Sequence, residues 1–263
     1  MVKQLLRLMT ELSSHRWLSR IMGALAHSRI SRFLIPVFIR SYHIPAGEAE
    51  HSPGDYRTLN EFFSRRLKPG MRPVAEGDDA LVSPVDALIT AMGDITSGTL
   101  MNVKGQDYNL EELLNHSPHL ERYKKGFFFV LYLSPTDYHR IHSPLSGQKV
   151  ESDYIRGRAY PVNEFGMRHM KGVLSRNERL ITYIAGKHGE AAVVKVGAMN
   201  VSSIRYADEQ ASEWEKGGDL AYFEFGSTVV LLTESGTFTP RPGLRKNMKV
   251  KMGELLGTMR APL

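Results

Sequence analysis

Three hydrophobic patterns follow one another along this chain. In the first forty residues apolar side chains recur at helical spacing. Leu5, Leu8, Met9 and Leu12 fall at i, i+3, i+4 and i+7, and Trp17, Ile21 and Leu25 continue a similar stripe. Ile30, Phe33, Leu34 and Val37 form a third, bent or interrupted at Pro36. Residues 41–57 lose the periodicity and are rich in Pro, Gly, Ser and His, which reads as a loop or linker. Thr58-Leu59-Asn60-Glu61 then has capping-box spacing, so "TLNEFFSRRL" predicts a short helix that stops before "KPGMRP".

From about residue 80 the pattern turns to β. "ALVSPVDALITAMGDI", "GFFFVLYLSP", "AAVVKVGAMNVSSI", "LAYFEFGSTVVLLTE" and "MKVKMGELLGTM" are β-branched or aromatic runs bounded by Gly, Pro, Asp or Ser. "LEELLNH" and "VNEFGMRHMKGVLS" read as short helical or irregular insertions. No 20–50-residue repeat is strong enough for a solenoid. Within "YFEFGSTVVLL", residues 222–232, alternation of aromatic and charged residues breaks at Gly226-Ser227-Thr228 and becomes purely apolar. A glycine there marks a bulge or a close backbone approach. The sharper alternative is that the Gly226–Ser227 bond is itself a substrate.

Charge changes the picture at one end only. Residues 1–40 carry seven basic side chains against Glu11 alone, which accounts for the whole chain's net charge of +6. The remainder is neutral on balance, which argues against a nucleic-acid-binding body. Basic amphipathic helices with Trp and Leu on the apolar face suit an anionic membrane surface; the alternative is that they pack on the rest of the protein. No run approaches the roughly 18 apolar residues that span a bilayer, and recurring arginines interrupt any signal-peptide core. The length of 263 residues fits one large domain or one domain with an appendage. With no cysteine, thiolate metal sites, disulfides and a cysteine nucleophile are excluded. Neither a P-loop nor a convincing G-x-G-x-x-G follows a strand.

Candidate chemistry gathers in three places. "LSPTDYHRIHSPLSG", residues 133–147, holds His139 and His142 with Asp137, Tyr138 and Arg140. There is no H-E-x-x-H frame for zinc, and a pair of histidines is more often structural than catalytic. Beside an extended hydrophobic strand they remain candidates for acid–base work. Asp86 interrupts the apolar "SPVDALIT" and is either a turn aspartate after Pro84 or a carboxylate that orients a histidine. Ser227 follows a glycine whose carbonyl no side chain shields.

Taken together, in this order, these segments resemble the pyruvoyl-dependent phosphatidylserine decarboxylases in their bacterial proenzyme form. The likeness covers nearly the whole chain: "YRTLNEFFSRRLKPGMRP", "SPVDALI", "YLSPTDYHRIHSP", "YPVNEFG", "LSRNER", "VGAMNVSSI" and "FGST". The family commonly has Gly after the strand aspartate, where this chain has Ala87. The resemblance implies an α+β fold with a mainly antiparallel β core. "MKVKMGELLGT" resembles the turn of lipoyl-like sandwich domains, and the basic amphipathic helices precede that core. It implies residues 1–57 as a membrane-associating region with linker and 58–263 as the catalytic domain.

The resemblance further implies self-cleavage between Gly226 and Ser227. Ser227 attacks the Gly226 carbonyl, His142 is its base, and Asp86 holds the His142 tautomer. Elimination releases a large chain, 1–226, and leaves a small chain, 227–263, whose Ser227 becomes an N-terminal pyruvoyl group. That group would supply the electron sink for decarboxylation without pyridoxal phosphate or metal. His139 is implied as proton donor, with Tyr138 and Asn163 beside the substrate. Phosphatidylserine would be converted to phosphatidylethanolamine and CO2 at the cytoplasmic face of the cell membrane, by a peripheral protein bound to anionic phospholipid, with room for a homodimer. Two rivals stand beside this reading: a serine hydrolase with a Ser227/His142/Asp86 triad, and a non-catalytic lipid-binding module.

Overall fold

The computed structural model describes residues 23–96, 100–103, 106–162, 164–198, 204–224 and 227–262. The first two N-terminal stripes, apart from Leu25, lie outside the described residues, as do Asn163 and Gly226.

An eight-stranded sheet forms the centre, every neighbouring pair antiparallel. From edge to edge it runs Glu213–Trp214, Gly147–Ile155, Arg179–Gly186, Gly189–Gly197, Ser227–Thr233, Phe127–Leu133, Ala87–Asp94 and Lys249–Val250. The strand Ser227–Thr233 is buried along its whole length, which explains its unbroken apolar run: both faces meet a core. Val230 and Leu232 join one cluster with Tyr108, Leu113 and Tyr183. Val229 and Leu231 join the other with Ile89, Phe129 and Leu131.

"LAYFEFGSTVVLLTE" is therefore not one strand with a bulge. Asp219–Phe223 belongs to a three-stranded sheet with Ile204–Tyr206 and Arg140–His142, and only Ser227–Thr233 enters the large sheet. The change of pattern at Gly226 marks a change of sheet.

Two parts of this scaffold repeat each other. Ala80–Val82 and Ala87–Asp94 flank the turn Ser83–Asp86, as Arg140–His142 and Gly147–Ile155 flank the turn Ser143–Ser146. Val82 N–H donates to the Pro144 carbonyl at 2.9 Å, and His142 N–H donates to the Pro84 carbonyl at 2.8 Å. Gly253 and Gly217 each donate to the serine carbonyl of their own turn, with φ of 84° and 79°, a conformation that favours glycine. The partner strands match in register: Val82 faces Leu255 as His142 faces Asp219, and Ala87 faces Val250 as Gly147 faces Trp214.

The N-terminal part of the described chain has a short 3-10 helix, Arg29–Leu34, continued by the helix Ile35–Tyr42. Pro36 sits in the first turn of the latter, where a missing N–H costs nothing. It starts a helix rather than interrupting one. Ile30, Phe33 and Val37 stand 73%, 74% and 59% exposed. Residues 41–57 carry Ile44 and Tyr56 into a small cluster with Ile35 and Phe62, and Lys68 N–H donates to the Glu48 carbonyl at 2.9 Å. The helix Leu59–Phe63 is capped by Thr58, which accepts from Glu61 N–H at 3.1 Å. The Glu61 carboxylate reaches Arg57 N–H, one residue beyond the expected capping box. Among the described residues no helix is long and apolar enough to cross a membrane.

Candidate active site

Ser227 opens the central strand between Gly197 and Leu133 and is fully buried. Its hydroxyl has no hydrogen-bond partner among the described residues. A buried hydroxyl left unpaired is costly, so this atom is held in place by the sheet rather than by its own bonding. Phe223 N–H donates to the His139 carbonyl at 3.3 Å, while Ser227 pairs with Leu133. Phe223 and Ser227, which belong to different sheets, are thus both tied to the segment Leu133–His139.

That segment is itself rigid. Asp137 accepts from the backbone N–H and the hydroxyl of Ser134, at 2.8 and 2.6 Å. Its carbonyl accepts Nδ1–H of His139 at 2.8 Å. His139 Nε2 is therefore the lone-pair nitrogen, and it too has no partner among the described residues. Complete burial, against the Phe63 ring at 4.0 Å, pushes this imidazole down to about 3, so it is neutral at neutral pH. Ser227 Oγ and His139 Nε2 are thus both buried without a partner among the described residues.

His142 has both ring nitrogens engaged. Nδ1–H donates to the Gly217 carbonyl at 2.8 Å, and Nε2 accepts the Tyr138 hydroxyl at 3.1 Å. Burial lowers its pKa below the ordinary value. Burial likewise raises that of Tyr138, with Asp219 adding to it, so the phenol remains a donor.

Asp86 is buried, and its carboxylate serves other groups. Arg72 donates Nε to both oxygens, at 2.9 and 3.0 Å, and Nη2 to Oδ2 at 2.6 Å. Met252 N–H donates to Oδ1 at 2.8 Å. Arg72 Nη2 also bonds Glu48 at 2.8 Å. The expectation that Asp86 holds the His142 tautomer directly is corrected here: the Gly217 carbonyl holds it, and Asp86 acts on the ring only through its charge. Ala87, in place of the family's glycine, is buried at the edge of this turn.

Two clefts meet at this point and share Leu67, Arg72 and Tyr138 as a wall. The larger, of about 570 Å³, takes in Asp86, Asp137, Arg65 and Lys249. The smaller, of about 430 Å³, takes in His142, Gly217 and Asp219. Ser227 lines neither.

A family model described as phosphatidylserine decarboxylase matches residues 59–258. The phosphatidylserine decarboxylase proenzyme of Geobacillus kaustophilus is 45% identical over 258 residues, covering 98% of this chain and 97% of the relative. That of Brevibacillus brevis is 42% identical over 263 residues, covering 93% and 94%. That of Anoxybacillus flavithermus is 42% identical over 257 residues, covering 98% and 97%.

The chain belongs to the phosphatidylserine decarboxylase family.

Membership makes it a carboxy-lyase, and its relatives carry the name of proenzymes. Within this decarboxylase scaffold Tyr138 and His142 are brought together, and His139 is brought to the crossing that leads into Ser227. Asp86 is set apart on Arg72. Sequence reasoning did not assign Arg72, Gly217 or Arg65. The first and last lie inside the quoted "RRLKPGMRP", where three arginines look alike until burial separates them. A group made from Ser227 itself fits this place, because its neighbour across the strand, Gly197, carries no side chain and its hydroxyl has no partner among the described residues.

Proposed function

We propose that this chain decarboxylates phosphatidylserine to phosphatidylethanolamine and CO2 after cutting itself between Gly226 and Ser227. The observation that carries the reading is the buried, unpartnered Ser227 hydroxyl at the first residue of the central strand. Ser227 Oγ bonds to the Gly226 carbonyl carbon, the C–N bond breaks, and the freed nitrogen takes up the proton that Oγ gave away. Loss of the Ser227 Cα proton then expels the Gly226 carboxylate. One water converts the resulting dehydroalanine to a ketone and ammonia. That pyruvoyl ketone supplies an electron sink for the substrate's amino carbon.

His142 is the proposed base for cleavage, since its lone pair sits on Nε2. Tyr138 must release that nitrogen first. His139 begins as an acceptor at Nε2. It takes a proton from the substrate's ammonium and returns it to the substrate Cα once CO2 has left. Asn163, outside the described residues, remains a proposed substrate contact beside Tyr138. Burial keeps water from the reacting atoms.

Residues 1–57 are proposed as the membrane-associating region and 58–263 as the catalytic domain. The exposed Ile30, Phe33 and Val37, beside Arg29, Arg32 and Arg40, support docking on an anionic phospholipid surface. The repeated halves support the lipoyl-like reading of the core. Intact mass of the purified protein beside Ser227→Ala tests the proposal. The expected result is two fragments, 1–226 and 227–263, in the parent and one chain in the variant. A single chain in folded, freshly made parent protein would remove the cofactor and favour the hydrolase reading.

A further inference from the structure

Arg65 follows the helix Leu59–Phe63 and is 3% exposed, yet it has no carboxylate partner among the described residues. Among the described residues its guanidinium makes one hydrogen bond, from Nη1 to the Phe62 carbonyl at a long 3.4 Å, and Nε is unpaired. The guanidinium lies over the Phe62 ring at 5.0 Å. Glu48 and Asp86 reach it only through their charge. A buried cation with no carboxylate bonded to it among the described residues is costly to keep, and it lines the 570 Å³ cleft. Arg72 on the same wall is different, because Asp86 and Glu48 already neutralise it. Lys249 and Lys251 stand at the rim of that cleft. The cleft is of a size that holds a small ligand.

We propose that Arg65, with Lys249 and Lys251 at the rim, binds the phosphodiester of the substrate's headgroup and so selects a phospholipid over free serine. The inference rests on the proposed activity and adds the subsite that recognises the anion.

The connections of the cleft and the chemistry of the reaction fix the choice of anion. Tyr138 and the Phe63–Arg65 segment connect the cleft to His139, whose ring packs on Phe63. The phosphodiester is three bonds from the reacting carbon, so one short headgroup has to bridge the two ends of this connection. The serine carboxylate is the wrong partner for Arg65, because pairing it would stabilise the ground state of the group that must leave. Tyr42 and His43, at the end of the helix Ile35–Tyr42, also line the cleft. It therefore opens beside the exposed apolar face proposed to meet the membrane. A guanidinium fork suits a phosphate oxygen pair better than an ammonium does.

The test uses the full chain carrying Ser227→Ala, which needs neither cleavage nor the pyruvoyl group. Calorimetric titration with glycerophosphoserine is compared with inorganic phosphate and with phosphate-free O-methylserine, each against S227A and S227A/R65M. Glycerophosphoserine is expected to bind S227A and to weaken at least about tenfold on R65M, the loss of one charged hydrogen bond. O-Methylserine is expected to show no difference between the two. The thermal midpoint of S227A/R65M should stay level or rise, since Met removes an unpaired buried charge. Arg65→Lys should recover part of the binding.

Equal binding of glycerophosphoserine to both proteins, or none to either, would overturn the assignment. So would a fall in the midpoint, which would mark Arg65 as a structural cation. Inorganic phosphate binding as tightly as glycerophosphoserine would overturn the headgroup reading in favour of a free-phosphate site. Failure of decarboxylation in the parent protein would instead strike the proposed function, and leaves this binding readout standing.

Discussion

The turns Ser83–Asp86 and Ser143–Ser146 are built from the same parts and end in different chemistry. In each, the serine hydroxyl donates to the carbonyl two residues on, at 2.7 and 2.6 Å. In each, the fourth residue accepts a backbone N–H from the matching turn: Met252 to Asp86 at 2.8 Å, Lys216 to Ser146 at 2.9 Å. Ser146 does this with a hydroxyl and stops there. Asp86 does it with a carboxylate, and the remaining acceptor capacity binds Arg72. The residue before each turn differs too, Val82 in one and His142 in the other. Turn capping is common to both halves; the charge and the imidazole are additions, one to each. Structural and chemical roles are thereby separable at single positions.

Making the second half resemble the first gives the largest expected effect. His142→Val places there the residue that its counterpart already accepts in full burial. Self-cleavage should slow by about 10²–10⁴, the usual worth of a general base, while far-UV dichroism stays near the parent's and the thermal midpoint falls only by the two lost hydrogen bonds, to Gly217 and Tyr138. Cleavage at the parent's rate would show His142 to be as structural as Val82.

The reciprocal change, Asp86→Ser, keeps the cap and removes the charge. Arg72 then retains only Glu48. Breaking such a buried pair costs about 3 kcal/mol, and unfolding in urea measures it. Asp86 is also one of the charges that raise the His142 pKa against the lowering by burial, so its loss weakens the base and cleavage should slow, by less than for His142→Val. A stability loss with an unchanged cleavage rate would confine Asp86 to holding Arg72.

Much of this scaffold was legible in the chain. Both Ser-Pro steps and both histidines stand in the sequence, and the apolar run after Gly226 reads as β; that both of its faces are buried only the structure shows. The repeat did not show, for a physical reason. Each half is closed by a distant segment, around Gly217 in one and Gly253 in the other, so no contiguous period exists. The sheet change at Gly226 was visible only as a change of alternation. The partner of Asp86 was hidden because a carboxylate beside an apolar strand announces that it needs a cation or a donor, not which one. Arg65 and Arg72 become distinct only through burial and pairing, which spacing does not encode.

Acid should separate the halves further, because the turn after Val82 is preceded by no imidazole. His139 is held down to about 3 by burial, against roughly 6.5 in the unfolded chain. Below about pH 6.5 the unfolded state takes up a proton that the folded state refuses, so this contribution is present above that pH and is lost towards about pH 3. His142, also lowered, acts in the same direction. Between pH 7 and 5 the parent should lose about 2 kcal/mol more than His139→Gln, read from urea unfolding at both pH values. Equal losses would mean that His139 is already protonated or exposed.

The smallest effect is expected at Ser146, and it makes the comparison sharpest. Ser146→Ala removes only the cap on Lys216 N–H and should cost about 1 kcal/mol, with self-cleavage unchanged. Ser146→Asp restores an acceptor there and adds a charge, copying the first turn at the second. Among the described residues no guanidinium is bonded to Ser146 as Arg72 is to Asp86. Stability should return to near the parent value, and cleavage should again be unaffected, because a carboxylate at this turn lacks the Arg72 connection. If Ser146→Asp altered the cleavage rate as much as Asp86→Ser, charge anywhere near His142 would be what matters, and the turn that carries it would not.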